Sequence, residues 1–416
     1  MTSRSRKLSA PAWWFIGGYG LSATGTGLCY PFLAIYLRQA LGRSSQATAL
    51  LLLLQAGAAV PMSVIGGRWC DRHSPQLVAV AALGVQTAGW VVLAVASNLG
   101  GEILAMLLIG LGTGPSLAAV VPILTRIIDG EAARTRAFAL RYQLLNVGLG
   151  LGAMIAAFAL NSPSVATYRL LCAFNGLSCL LYALIIVVCV PVPGAAAPAA
   201  DAAPVRAWYR PGGSFRLLLG AQFLLVTFGL VQLEAGVPLF VRTRMDGSAT
   251  LIGSLYALST LIVIAAQMPI SRLVERVHKA RALIAMSLVW ALAWMTGFIA
   301  STTMDSGTRT GLLVAMVVLF SAGECAYSPA FYTLVTNLSP AGALGRSSGA
   351  AWAMHQVGST VGPPLAVFLV AGPVSLWLVL AGASVLAAMT VAVVDRRMHR
   401  HRDVHTSPAE TVASSA

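Results

Sequence analysis

The 416-residue chain is 57% hydrophobic and only 10% charged, with a formal net charge of +14 and a mean hydropathy of +0.80. A soluble domain carries about a quarter of its residues as Asp, Glu, Lys and Arg, so charges this sparse exclude an ordinary soluble enzyme, a nucleic-acid-binding protein and a disordered chain. The positive balance has to be read from where Lys and Arg fall, because membrane proteins gather them in cytoplasmic loops.

Residues 1–12 carry Arg4, Arg6 and Lys7 ahead of an apolar stretch. That stretch is too long for a signal-peptide core and ends in no small-residue cleavage site, so it is read as a retained first span. A helix needs ~20 apolar residues to cross ~30 Å of hydrocarbon. The first half offers six such runs, at 13–37, 47–67, 76–96, 102–125, 137–160 and 166–190. Residues 191–214 then break the pattern with Pro191, Pro193, Pro198, Pro204 and Pro211 among Ala and Gly, which reads as a cytoplasmic linker. Six more runs follow, at 215–241, 249–270, 281–301, 310–335, 347–370 and 375–394, and 395–416 read as a disordered cytoplasmic tail. Long continuous runs exclude a β-barrel. The expected fold is an all-α membrane protein of twelve transmembrane helices in two pseudo-symmetric six-helix halves, 13–190 and 215–394. With the N-terminus inside, the inward segments hold 21 of the 27 basic residues. This puts both termini in the cytoplasm and accounts for the +14 without nucleic acid.

The halves repeat one another. Asp71-Arg72 recurs as Glu275-Arg276, and Arg38 and Ser44 recur as Arg242 and Ser248, all 204 positions on. Asn146-x-Gly148-x-x-x-Gly152 recurs as Gln356-x-Gly358-x-x-x-Gly362, 210 positions on. Parallel repeats of this kind are a transporter architecture, with the site between the halves. Cys29, Cys70, Cys172, Cys179, Cys189 and Cys325 form no C-x-x-C pair and read as small apolar packing residues.

Gly67-Arg68-Trp69-Cys70-Asp71-Arg72-His73 resembles the loop signature of the major facilitator superfamily. Gly323-Glu324, Pro329, Leu338-Ser339-Pro340, Gly345-Arg346 and Gly349 resemble the tenth-to-eleventh helix region of its twelve-helix drug:proton antiporter branch, and Arg136, Asn146 and Gly148 resemble the start of its fifth helix. Three places depart from the pattern. Ser74, Pro75 and Gln76 stand where the loop signature has Gly and two basic residues. Met106 and Leu108 stand where the fourth helix carries Arg. The fifth helix lacks a Gly-Pro pair, although Gly362-Pro363 lies in the eleventh. The resemblance implies that the first, fourth, seventh and tenth helices line a substrate cavity. It also implies that the loop around Asp71 holds the cytoplasmic side closed.

Glu234 and Glu324 are the two acidic residues well inside the expected spans. A charge at a helix centre costs ~2.5–3.5 kcal/mol on insertion scales, so such residues face a cavity or a partner. Both are therefore candidates for proton coupling, against the plainer reading of neutral packing residues. Glu324, Tyr327, Ser328 and Phe331 share one helix face by their spacing, as do Ser22, Thr26, Cys29 and Tyr30. Ser22, Thr26, Tyr30, Tyr327, Ser328 and Phe331 are the candidate cavity residues. Gly67, Asp71, Arg72, Asp129, Arg136, Arg141, Glu275 and Arg276 form the candidate gating set; the plainer reading makes the basic ones positive-inside anchors. His355 and Gln356 offer a second polar face, or helix–helix hydrogen bonds.

These residues point to a secondary transporter that exports a small, partly apolar organic compound in exchange for protons by alternating access. An importer or facilitator for a sugar or organic acid is the alternative. A membrane-embedded enzyme or a non-transporting receptor is the alternative of another class. An anion site would call for an intramembrane Arg, and no Arg is expected mid-span. There is no phosphate loop, metal-ligand spacing or Ser-His-Asp order, and Gly148-x-Gly150-x-Gly152 follows no strand. No cofactor, metal, enzymatic activity or nucleic-acid partner is expected. The expected partners are a small-molecule substrate, protons and membrane lipid, with the protein a monomer in the plasma membrane.

Overall fold

The computed structural model describes residues 8–161, 164–191, 212–372 and 375–406. Most of the expected linker and the end of the expected tail lie outside the described residues. Among the described residues the structure is helical, with no strand. Twelve helical passes follow in order. The first half contains α1 Ala10–Ile35, closed by a π turn at Tyr36–Ala40, then α2 Ser45–Arg72, α3 Pro75–Val95, α4 Leu99–Ala118 continued by Val120–Ile127, α5 Glu131–Ala159 and α6 Val165–Cys189. The second contains α7 Gly213–Leu225 with its continuations, α8 Ala249–Arg276, α9 Lys279–Thr302, α10 Ser306–Leu338, α11 Leu344–Ala371 and α12 Leu376–Thr406. Ten are long and apolar enough to cross a membrane by length and composition. The remaining two, α1 and α11, are diluted by Gly, Ser and Thr.

Local chemistry sets the helix ends. Ser44 and Ser248, the repeated serines, cap α2 and α8 by accepting from Ala47 N (3.2 Å) and Leu251 N (3.1 Å). Pro75 opens α3, where its missing N–H is needed by no carbonyl. The most broken pass is α7. After Leu225 it runs through a π turn at Val226–Leu230 and a short segment at Val231–Glu234, stops at Ala235 and resumes as Gly236–Arg244. The Gln232 side chain donates to Thr227 O (2.7 Å) and Gly362 O (3.0 Å), occupying carbonyls at the break.

Within the first half α1 packs on α5 and α6, α2 on α4, and α3 on α4 and α6; the second half repeats this with α7 on α11 and α12, α8 on α10, and α9 on α10 and α12. The repeated glycines explain one of these contacts. A Cβ on Gly148 would lie 2.6 Å from Gly20 O, so α5 can approach α1 only without one; a Cβ on Gly362 would lie 2.8 Å from Val231 on α7. The halves meet mainly along α2–α11 and α5–α8. Phe158, Val188 and Phe368 are more than 70% exposed on the outer surface, as lipid-facing side chains are.

Several helices outrun the expected spans: α2 ends at Arg72 rather than 67, α8 at Arg276 rather than 270, and α10 starts at Ser306 rather than 310. Helix α5 starts at Glu131 rather than 137. Helix α12 continues past 394 to Thr406, so the segment expected as tail begins as helix. Helices outrun the hydrocarbon whenever nothing ends them, and hydropathy reports only the apolar part.

Candidate functional site

At the Arg-rich end three ion pairs join the halves, two of them related by the repeat. Asp71, at the end of α2, accepts from Gly345 N (2.6 Å) and Arg346 N (3.1 Å) and pairs with Arg346 Nε at 3.2 Å. The carboxylate thus caps α11, where the helix dipole favours it. Gly67 lies directly against Gly345 and Gly349, backbone to backbone. Glu275, at the end of α8, receives Arg136 Nε (3.1 Å) and Nη2 (2.8 Å) from α5. Arg346 follows Arg136 by 210 positions and Glu275 follows Asp71 by 204, so one ion pair is built twice about the pseudo-axis. Lys279–Glu131 (3.2 Å), Thr135–Thr333 (3.1 Å) and Ser328 Oγ to Phe138 O (3.1 Å) close the same end. Of the candidate gating set, Gly67, Asp71, Arg136 and Glu275 come together here, whereas Arg72, Asp129 and Arg276 are exposed.

A cavity of about 530 Å³ lies between the halves, lined chiefly by the first. Ser22, Thr26 and Tyr30 from α1 and Tyr327 from α10 line it, together with Tyr142, Tyr332, Trp352, His355 and Gln356. Ser328 and Phe331 do not. Ser328 is buried on Phe138 O, and Phe331 packs on Tyr327 and Tyr332 with centroids 5.6 and 5.4 Å away. The polar face of α10 is wider than the cavity, so its far side meets the other half instead. Glu324 is buried just behind the cavity wall and accepts from Tyr142 Oη at 2.6 Å, a bond between α10 and α5 that spans the halves. Glu234 ends the short segment before the break in α7, is exposed, and is absent from the cavity wall.

Arg141 corrects the expectation. It belongs to no latch and is 1% exposed within the bundle, on the cavity wall. Its guanidinium carbon is 4.5 Å from the Tyr19 ring centroid and 5.6 Å from those of Tyr332 and Trp352. The reason is the early start of α5, which carries Arg141 about 15 Å along the helix at 1.5 Å per residue. The signal was present: Glu131 to Arg141 contains no Gly, Pro or Asn to end a helix. Tyr142, the partner of Glu324, was missed for the same reason. Glu102 was missed too: its buried carboxylate in the first turn of α4 accepts from Arg43 Nη2 (2.7 Å) and Nε (2.8 Å), and neither residue lines the cavity. Among the described residues no group of three His, Cys, Asp or Glu is placed to hold a metal ion.

Two like helical halves, pinned at one end around a part-polar cavity, define a membrane transporter. The profile of the Major Facilitator Superfamily matches residues 15–263 and 236–414, and the chain belongs to that superfamily. It is therefore an integral, multi-pass membrane protein with a small-molecule substrate. Two relatives in Bacillus subtilis (strain 168) are each 25% identical. The uncharacterized MFS-type transporter YqjV aligns over 412 residues, 96% of this chain and 97% of the relative. The uncharacterized MFS-type transporter YhjO aligns over 352 residues, 84% and 83%. Among solved structures, the human organic anion transporter MFSD10 (TETRAN) superposes with a TM-score of 0.71 at 17% identity, covering 91% of this chain and 98% of that one. A bacterial homologue of the iron transporter ferroportin, in an outward-facing state, gives 0.74 at 15%, covering 94% and 99%. Both share the fold.

Proposed function

We propose that this protein is a proton-coupled exporter of a small, partly apolar organic compound. It works by alternating access in the cell membrane with both termini cytoplasmic, and it acts as a monomer. The observation that carries the reading is the Tyr142–Glu324 hydrogen bond, a buried carboxyl held by the opposite half beside the cavity. A carboxyl in low dielectric needs a donor when ionised. Rocking the halves apart removes that donor, so the protonation of Glu324 and the conformation of the carrier depend on one another. The two latches hold the Arg-rich end shut. With that end in the cytoplasm, the cavity is available from outside, the state in which an exporter releases its substrate and takes up protons. The antiporter-like residues around the tenth and eleventh helices favour export over a facilitator.

The test is uptake and efflux of a compound panel in vesicles, with and without a pH gradient. Glu324→Gln is expected to abolish pH-driven accumulation while keeping substrate binding or passive exchange. Glu234→Gln, at an exposed position, is expected to have the smaller effect. Full accumulation by Glu324→Gln would remove Glu324 as the carrier, and wild-type transport that only equilibrates the compound, with no response to the pH gradient, would favour the facilitator.

A further inference from the structure

The polar part of the cavity wall near Arg141 is rich in donors that have nothing to bind. Arg141 Nε and Nη1 and Trp352 Nε1 are buried without a hydrogen-bond partner, and so is His355 Nδ1, which donates in one tautomer. All three residues line the same cavity, and the Trp352 and His355 rings are 5.1 Å apart. Among the described residues no carboxylate pairs with Arg141. A cation inside an apolar bundle is expensive without a counter-charge. Aromatic rings contact the guanidinium, which eases the cost but cannot take up its N–H groups; an oxyanion can.

The repeat excludes a purely architectural role shared by the halves. The latch arginines occur in both, but the position 210 after Arg141 is Ala351. The cation is thus peculiar to one half, where the cavity mostly lies. Elsewhere the wall has no charged side chain and sets Leu52, Leu83, Leu117 and Leu149 among neutral polar groups such as Ser22, Thr26 and Gln55, and its volume suits a drug-sized molecule.

We propose that Arg141, with Trp352 and His355, is the head-group subsite for an anionic organic substrate, one that carries a carboxylate, sulfonate or phosphate on an apolar, aromatic body. This rests on the transporter reading of the cavity and names its substrate class.

The test is equilibrium binding to the full chain in phosphatidylcholine nanodiscs by titration calorimetry. The probes share one aryl body: 2-naphthoate, 2-naphthalenesulfonate, 2-naphthyl phosphate, 2-naphthamide and 2-naphthylmethylammonium. At least one of the three anions should bind, and at least tenfold more tightly than the amide and the ammonium. Arg141→Met should erase that preference, Arg141→Lys should keep part of it, and Trp352→Phe, which loses the indole N–H along with its five-membered ring, should weaken it less. The wild-type order needs no variant, so a misfolded Arg141→Met protein leaves the proposal testable. Equal binding of anion and amide, a preference for the ammonium, no binding of any of the anions, or an unchanged preference in a folded Arg141→Met protein would overturn it. No gradient is involved, so the Glu324→Gln protein should show the wild-type order even if proton coupling fails.

Discussion

Neighbouring residues on α5 face two different problems. Arg141 lies in a ring of aromatics, and Tyr142 reaches across to Glu324. Tyr142 therefore matters to coupling through one O–H. A hydrogen bond to a charged group is worth about 1.5–3 kcal/mol, and Tyr142→Phe removes it with almost no change of volume. Tyr142→Phe is expected to lower pH-driven transport at least tenfold while leaving the melting temperature of the solubilised protein within a few degrees. A wild-type rate in vesicles would show that Glu324 does not need this donor. Glu324 itself was legible in the sequence, because a lone carboxylate inside an apolar run is conspicuous. Arg141 was not, because it follows Arg134 and Arg136 closely enough to be counted with a loop.

At the scale of elements, the ends of α2 and α8 carry the contacts that hold the halves together. The Asp71 side chain is only 5% exposed and makes two backbone bonds besides its ion pair, so it should count for more than an exposed surface pair. Asp71→Asn should leave the protein folded and inserted but slow transport several-fold, read as initial rates in vesicles normalised to inserted protein; unchanged rates would remove Asp71 from the gate. Gly349 tests the crossing of α2 and α11 by shape alone. Its Cα side lies against Ser63 O and Gly67, where a side chain has no room. Overpacking at a close contact costs about 1–3 kcal/mol. Gly349→Val should therefore favour the state in which this end is open, raising the labelling rate of a cysteine placed at Ser63 about tenfold. A rate equal to that of the same cysteine beside Gly349 would mean that the crossing does not gate.

For the whole molecule, the distribution of Lys and Arg predicts which end is cytoplasmic. A membrane-impermeant thiol reagent should reach a cysteine at Ser306, the exposed first residue of α10, only from outside the cell. One at Ala341, exposed between α10 and α11, should be reached only from inside. The reverse pattern would invert the orientation, and with it the reading of the cavity as open to the exterior.

Composition and periodicity were sufficient for the class of fold, because lipid imposes a length and an apolarity on every helix that crosses it. The repeat was legible for a similar reason: Ser44 and Ser248 both cap helices, and the paired glycines both allow close helix contacts. Local geometry demands those residue types wherever the element recurs. The sequence also singled out Asp71, Glu275 and Arg136, but only the tertiary structure paired Asp71 with Arg346 and Arg136 with Glu275, since those partners lie hundreds of residues apart or on opposite halves. It likewise decided that Ser328 faces the seam between the halves, that Phe331 packs away from the cavity, and that Arg141 faces it. Helical spacing tells which side chains share a face, but what stands opposite that face depends on how twelve helices pack.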